Sequence, residues 1–261
     1  MTTDELDRTL RQLRLGGMAD TLNVRAQQAR AEQLGPLDFL SLLVHDETQR
    51  RRDRLLSRRI KAANLRDQTT LDSFNWSFNP NIDRSLIFEL LTCRFIELHE
   101  DVLILGNAGV GKSRIAQGIA MAAIHGGFSV LYREAHQLFE ELVFAEVTDE
   151  RSQLVATLTE IPLLIIDDLG MRKLPASAAE DLLEIVMRRY ERASTIITSN
   201  RPLEDWPKMF SDTPAVTAFL DRLMHHGHSI QIRGKSYRLH ESSLAARERK
   251  AKTDPQQTTP P

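Results

Sequence analysis

Residues 101–113 read DVLILGNAGVGKS. Residues 102–105 form an apolar run of the kind a buried parallel strand carries. The run breaks at Gly106, and a helix is predicted to restart at Lys112. Between them Gly106, Asn107, Ala108, Gly109, Val110, Gly111, Lys112 and Ser113 spell the full G-x-x-x-x-G-K-S phosphate loop, set between a strand and a helix as its chemistry requires. The glycines let the backbone bend so that successive N–H groups face phosphate oxygens, and the helix N-terminus adds a favourable dipole. Lys112 is placed to reach the β- and γ-phosphates and Ser113 to put its hydroxyl on Mg²⁺, with Arg114 next in the first turn. The expected ligand is a nucleoside triphosphate, ATP, with Mg²⁺.

A second signature follows about fifty-five residues later, where the apolar run 163–166 ends in Asp167-Asp168. A buried strand ending in two acids is the second half of a phosphate-loop ATPase site. Asp167 is assigned to the Mg²⁺ hydration shell and Asp168 to polarising the attacking water, which needs a carboxylate within hydrogen-bond reach. Residues 194–200, STIITSN, give another buried strand ending in polar groups. Asn200 either bonds the γ-phosphate or lytic water, or simply forms the turn before Arg201-Pro202. Arg222 is either a transition-state arginine supplied to a neighbouring subunit or a surface residue paired with Asp221. Arg238 is a second cationic candidate.

The 261-residue chain has room for a large domain and a small one, and its composition, 41% hydrophobic and 27% charged, is that of an ordinary globular protein. It has no apolar stretch of membrane-spanning length, and the polar start MTTDELDRTLRQL argues against a secretory signal. The single Cys93 reads as a buried thiol in a reducing cytosol, so a cytoplasmic protein is expected. Net charge is −2, which leaves nucleic-acid binding to local patches.

The first seventy residues read as all-helical, with Gly16-Gly17 stopping the first helix and Gly35-Pro36 the second. A third helix runs from Pro36 into a segment where seven of the twelve residues 50–61 are Arg or Lys. Strands are predicted at 102–106, 129–133, 163–167, 194–199 and 229–233 with helices between, the pattern of a parallel sheet covered on both faces. The division expected is therefore 1–70 helical, 71–245 α/β, and a polar tail, 246–261, that is expected to be disordered.

In order along the chain, GNAGVGKS, LLIIDDLG, TIITSNRPL, FLDRLMHHGHSIQI and GKSYRL resemble the IstB-type transposition helper ATPases, close kin of the DnaC-type helicase loaders within the AAA+ superfamily. The resemblance takes in LRQLRLGGMADTL at the start and the LDSFNW connector, and stops short of the tail. It implies an AAA+ core with sheet order 5-1-4-3-2 and a reduced or absent lid. It makes Asn200 the first sensor, Arg222 a trans-acting finger and Arg238 a possible second sensor. Most AAA+ proteins carry Glu at the position of Asp168, so slow hydrolysis is expected. Phe74 and Trp76 are either core aromatics or, as the resemblance suggests, walls of the adenine pocket.

Arg51, Arg54, Arg58 and Lys61 fall at i, i+3, i+7 and i+10, on one helical face. They read either as a phosphate-contacting arm for double-stranded DNA or as a solvated face or seat for an acidic partner. Four phosphate contacts would give a salt slope of about −3.6. The histidines at 225, 226 and 228 lack cysteines or carboxylates at ligand spacing and read as loop residues near a subunit contact. The function expected is an ATP-dependent DNA-binding regulator that forms homo-oligomers with nucleotide at subunit interfaces and assists an integrase-type transposase. A helicase loader is the alternative, and a small-molecule kinase leaves Asn200, Arg222 and the basic helix without a role.

Overall fold

A computed structural model describes residues 2–210, 212–240 and 243; the tail expected at 246–261 lies outside them. The chain divides into two compact units between Lys61 and Ala62.

The first unit contains α1 (Thr3–Gln12), α2 (Gly16–Ala31) and most of α3 (Pro36–Ala63). Thr2 and Glu5 close a capping box on α1, satisfying two otherwise unpaired N–H groups. Gly16-Gly17 does not end α1, as the sequence suggested; both residues open α2, and the break falls at Arg14, whose φ is 58°. The reason is packing across the hairpin. The Gly17 N–H donates to the buried Glu47 carboxylate at 2.6 Å, and a Cβ on Gly17 would come within 2.7 Å of the Glu47 Cα. Arg25 grips Asp46 with two bonds of 2.8 and 2.7 Å, fixing α2 against α3.

The second unit is an α/β domain. In chain order it holds α4 (Arg84–Leu91), α5 (Arg94–Glu97), β1 (Asp101–Gly106), α6 (Lys112–His125), β2 (Val130–Glu134), α7 (Ala135–Val147) and α8 (Arg151–Glu160). There follow β3 (Leu163–Leu169), α9 (Ala178–Arg189), β4 (Ser194–Ser199), α10 (Trp206–Met209), α11 (Thr213–His225) and β5 (Gly227–Ile232). All strand pairs are parallel, in the order β2-β3-β4-β1-β5, which read from the other edge is the expected 5-1-4-3-2. Residues 102–105 of β1 and 163–166 of β3 are continuously apolar and buried because both faces of the sheet are covered there. Leu103, Leu105, Leu164, Ile166 and Ile197 join the core under α7, α8, α9 and α11, while α6 packs on β1, β3 and β4. Putting β1 between β4 and β5 brings its C-terminal end beside those of β3 and β4, where an α/β sheet binds its ligands.

The buried Arg189 ties this frame together. Its guanidinium donates to the carbonyls of Leu158 (2.7 Å), Ile161 (2.8 Å) and Ser194, closing the end of α8 onto the start of β4. Trp206 is fully buried beside Phe210 and Phe219. No helix among the described residues is long and apolar enough to cross a membrane.

Candidate nucleotide site

The phosphate loop adopts the shape its glycines allow. Gly109 has φ 80°, and a Cβ there would meet the Ser236 Oγ at 2.2 Å; Gly111, at φ 108°, is the N-cap of α6 and faces the Phe74 ring. Lys112 is buried and its Nζ donates to the Asn107 carbonyl at 3.1 Å. Burial lowers the pKa of this ammonium, with Asp168 and Asp167 opposing that shift.

A cavity of about 430 Å³ opens over the loop. One wall is residues 108–114, another the connector with Phe74, Asn75, Phe78 and Asn79, and the rest Asp168, Met171, Asn200, Tyr237 and Arg238. The two acids differ sharply. Asp167 is fully buried, with Oδ2 accepting from the Tyr132 hydroxyl at 2.6 Å and Oδ1 from the Thr198 hydroxyl. Asp168 turns into the cavity on a backbone with φ 56°, its N–H donating to Thr198 Oγ1 at 3.0 Å. That turn coincides with the irregularity in the β3–β4 register between Ile166 and Leu169. Burial, then the neighbouring Asp167, raises the Asp168 pKa above the ordinary carboxylate value, against the pull of Lys112 and Arg238. Asn200 lines the same cavity, and its Oδ1 is buried without a hydrogen-bond partner. A native protein rarely leaves such an atom unpaired, and its residue lines the cavity over the phosphate loop.

The remaining site residues separate into those at the cavity and those away from it. Arg114 lines the cavity, but its guanidinium is held by Asp67, the Thr70 carbonyl (2.9 Å) and Ser73 Oγ (3.1 Å), so it clasps the connector to α6. Of the two aromatics read as adenine walls, Phe74 lines the cavity and Trp76 does not. Trp76 turns outward between Phe74 and Phe88, with ring centroids 4.6 and 5.5 Å away, and Phe78 against Tyr237 takes the place at the cavity. Arg238 is exposed at the cavity edge. Arg222 lies away from it on α11, bonded to Asp221 at 3.2 Å, with its guanidinium 5.4 Å from the centre of the Tyr190 ring. On α3, Arg54, Arg58 and Lys61 are exposed and form no ion pair among the described residues. Arg51 differs from them, donating to Glu47 at 2.6 Å and to the Arg14 carbonyl at 3.1 Å. Near His225 and His226 the fold brings Glu191, with the three ligand atoms within 4.8 Å on an exposed surface, a carboxylate that local spacing did not show.

Three residues of the site escaped the sequence reading. Tyr132 and Thr198 sit on strands flanking β3 and meet Asp167 only across the sheet. Asn79 is buried, donating to the Val110 carbonyl at 3.4 Å and accepting from the Lys235 N–H at 3.1 Å, which joins connector, phosphate loop and the segment after β5. The strands that carry Tyr132 and Thr198 were legible in the sequence, but a strand reading does not say which polar side chains meet across the sheet.

A parallel sheet in this order, a phosphate loop after its β1 strand, and paired acids and a polar asparagine at the adjacent strand ends define an AAA+ nucleotide-binding domain. Residues 8–245 match the family of IstB-like ATP binding proteins, and the chain belongs to that family. It is 34% identical to the ATP-binding protein of insertion sequence IS21 from Pseudomonas aeruginosa, over 92% of this chain and 91% of that one. Its fold is also similar to the DnaC helicase loader (TM-score 0.52, 22% identity, 62% of this chain and 96% of that one). The AMPPCP-bound DnaA from Aquifex aeolicus gives a TM-score of 0.56 at 18% identity, covering 71% of this chain and 56% of that one.

Proposed function

We propose that the chain hydrolyses ATP in an assembly on duplex DNA, and that this assembly helps an integrase-type transposase select and use its target. The reading is carried by one juxtaposition: phosphate loop, Asp168 and Asn200, whose Oδ1 has no partner, line a single cavity. Lys112 binds the β- and γ-phosphates. Asp168 takes the proton of the attacking water, its raised proton affinity suiting a general base. Asn200 orients that water or the γ-phosphate. The hydroxyl of Ser113 and the carboxylate of Asp167 are hard oxygen donors that fit Mg²⁺, and these two residues would hold it. Bound there, the ion would neutralise charge on the phosphates. Arg222, lying off its own cavity, is supplied to the site of a neighbouring subunit, and Arg238 remains at the edge of its own. Family membership supports the transposition role, and the exposed Arg54, Arg58 and Lys61 support the DNA contact.

The test is a set of binding and turnover measurements on the purified chain. Lys112→Ala is expected to weaken a fluorescent ATP analogue at least about tenfold, the loss of one charge-assisted contact. Asp168→Asn should keep that affinity and lose about 10²–10⁴ in turnover. Replacing Arg54, Arg58 and Lys61 by Ala should make the salt slope of duplex-DNA binding shallower by about 2.7. Filaments or rings on long duplex DNA should form with ATP under the electron microscope. A preference for single strands together with tight binding to a replicative helicase would overturn the transposition reading in favour of a loader.

A further inference from the structure

Just beyond Asp168 the chain turns through Gly170, at φ 82°, into Met171-Arg172-Lys173-Leu174. Leu174 packs on the core and Gly170 lies close under Met209, where a Cβ would meet Sδ at 2.2 Å, and beside the stem of Arg201, so the loop is anchored at both ends while Arg172 and Lys173 are exposed. Together with Arg201 and Lys208 these residues surround a recess of about 420 Å³. Asp205 is the one acid lining it, and it already faces Lys208 at 3.6 Å. Among the described residues Arg172, Lys173 and Arg201 form no ion pair. The recess therefore carries a net excess of three positive charges, four cations less one acid, in a chain whose formal net charge is −2. Such a local concentration of exposed cations suits a polyanion rather than a small neutral ligand. Arginine forks match phosphate oxygens two at a time. Arg172 also lines the adjoining recess that contains Asp168 and Arg238.

We propose that Arg172, Lys173, Arg201 and Lys208 receive the sugar-phosphate backbone of duplex DNA, and that this contact fixes the loop next to Asp168. The inference rests on the DNA reading above and adds a second contact surface to it, on the nucleotide domain itself. Because Asp168 and Gly170 both hold left-handed backbone, ordering residues 171–173 on a phosphate chain fixes the direction in which the Asp168 carboxylate points. DNA then acts on hydrolysis through two intervening residues.

The probe is a 40-base-pair duplex of mixed sequence, with poly-glutamate as the competing polyanion, applied to the full chain and to the triple variant Arg172→Ala, Lys173→Ala, Lys208→Ala. In the triple variant the salt slope of duplex binding is expected to become shallower by about 2.7, three lost phosphate contacts. DNA stimulation of turnover should be lost, while affinity for the ATP analogue and turnover without DNA stay within about twofold of wild type. Wild type that binds duplex while the triple variant binds it with the same slope overturns this surface and leaves the DNA reading standing. Losses confined to poly-glutamate overturn it in favour of an acidic protein partner. Wild type that binds no duplex overturns both.

Discussion

Thr198 touches both acids of the site, its hydroxyl donating a hydrogen bond to Asp167 Oδ1 and accepting the Asp168 N–H on the same oxygen. Tyr132 occupies the other Asp167 oxygen. Burial, followed by the charge of Asp167, pushes the Tyr132 phenol well above its ordinary pKa, so it remains a donor at any working pH. Asp167 is thus oriented by one protein donor on each oxygen, with further lone pairs left for the hydration shell of a cation. Thr198→Val keeps the shape and removes both bonds. The expected cost is about 1–3 kcal/mol per group left unpaired in urea denaturation. The variant should also lose part of the Mg²⁺ enhancement of ATP-analogue binding, with Thr198→Ser restoring it. A variant that loses stability yet keeps the full Mg²⁺ effect would show that Thr198 supports the sheet and not the metal site. None of this was legible in LLIIDD or STIITSN separately; it depends on β3 and β4 lying side by side.

At the level of elements, the start of β1 carries a buried charge that works against the fold above acid pH. Asp101 accepts the Thr195 N–H at 2.6 Å, and burial raises its pKa from 3.8 to about 6, opposed by that bond and by Arg189. Between about pH 4 and 6 the folded chain holds a proton that the unfolded chain has released. Stability from this group therefore falls as pH rises through that window. Asp101→Asn should remove the effect. Its stability relative to wild type is expected to rise by about 2 kcal/mol from pH 4 to pH 7, most of the free energy of a roughly hundredfold difference in proton affinity between the folded and unfolded chain. A difference between the two proteins that does not change with pH would exclude the assignment. Strand positions were legible because apolar runs bounded by turn residues leave little choice, as in residues 163–166. The Gly16-Gly17 reading failed because a glycine is required there by the approach of α3, and not by a turn.

At the level of the whole molecule, two arginines line the cavity, Arg114, whose guanidinium is held by Asp67, Thr70 and Ser73, and the exposed Arg238, while Arg222 sits away from it on α11. Arg222→Ala is expected to bind the ATP analogue as wild type does and to lose about 10³-fold or more of the turnover that rises with protein concentration and DNA. Unchanged DNA-stimulated turnover would return Arg222 to its pairing with Asp221. The sequence alone determined the nucleotide-binding class and the sheet. Glycine spacing, apolar strands and the acids at a strand end act through local backbone conformation, which neighbouring residues dictate. Only the tertiary structure decided which side chains meet. It gave Asp167 to Tyr132 and Thr198, Arg114 to Asp67, and the cavity wall to Phe78 in place of Trp76. Those partners come from separate elements, and burial of the core, which fixes how the elements pack, is a property of the entire domain.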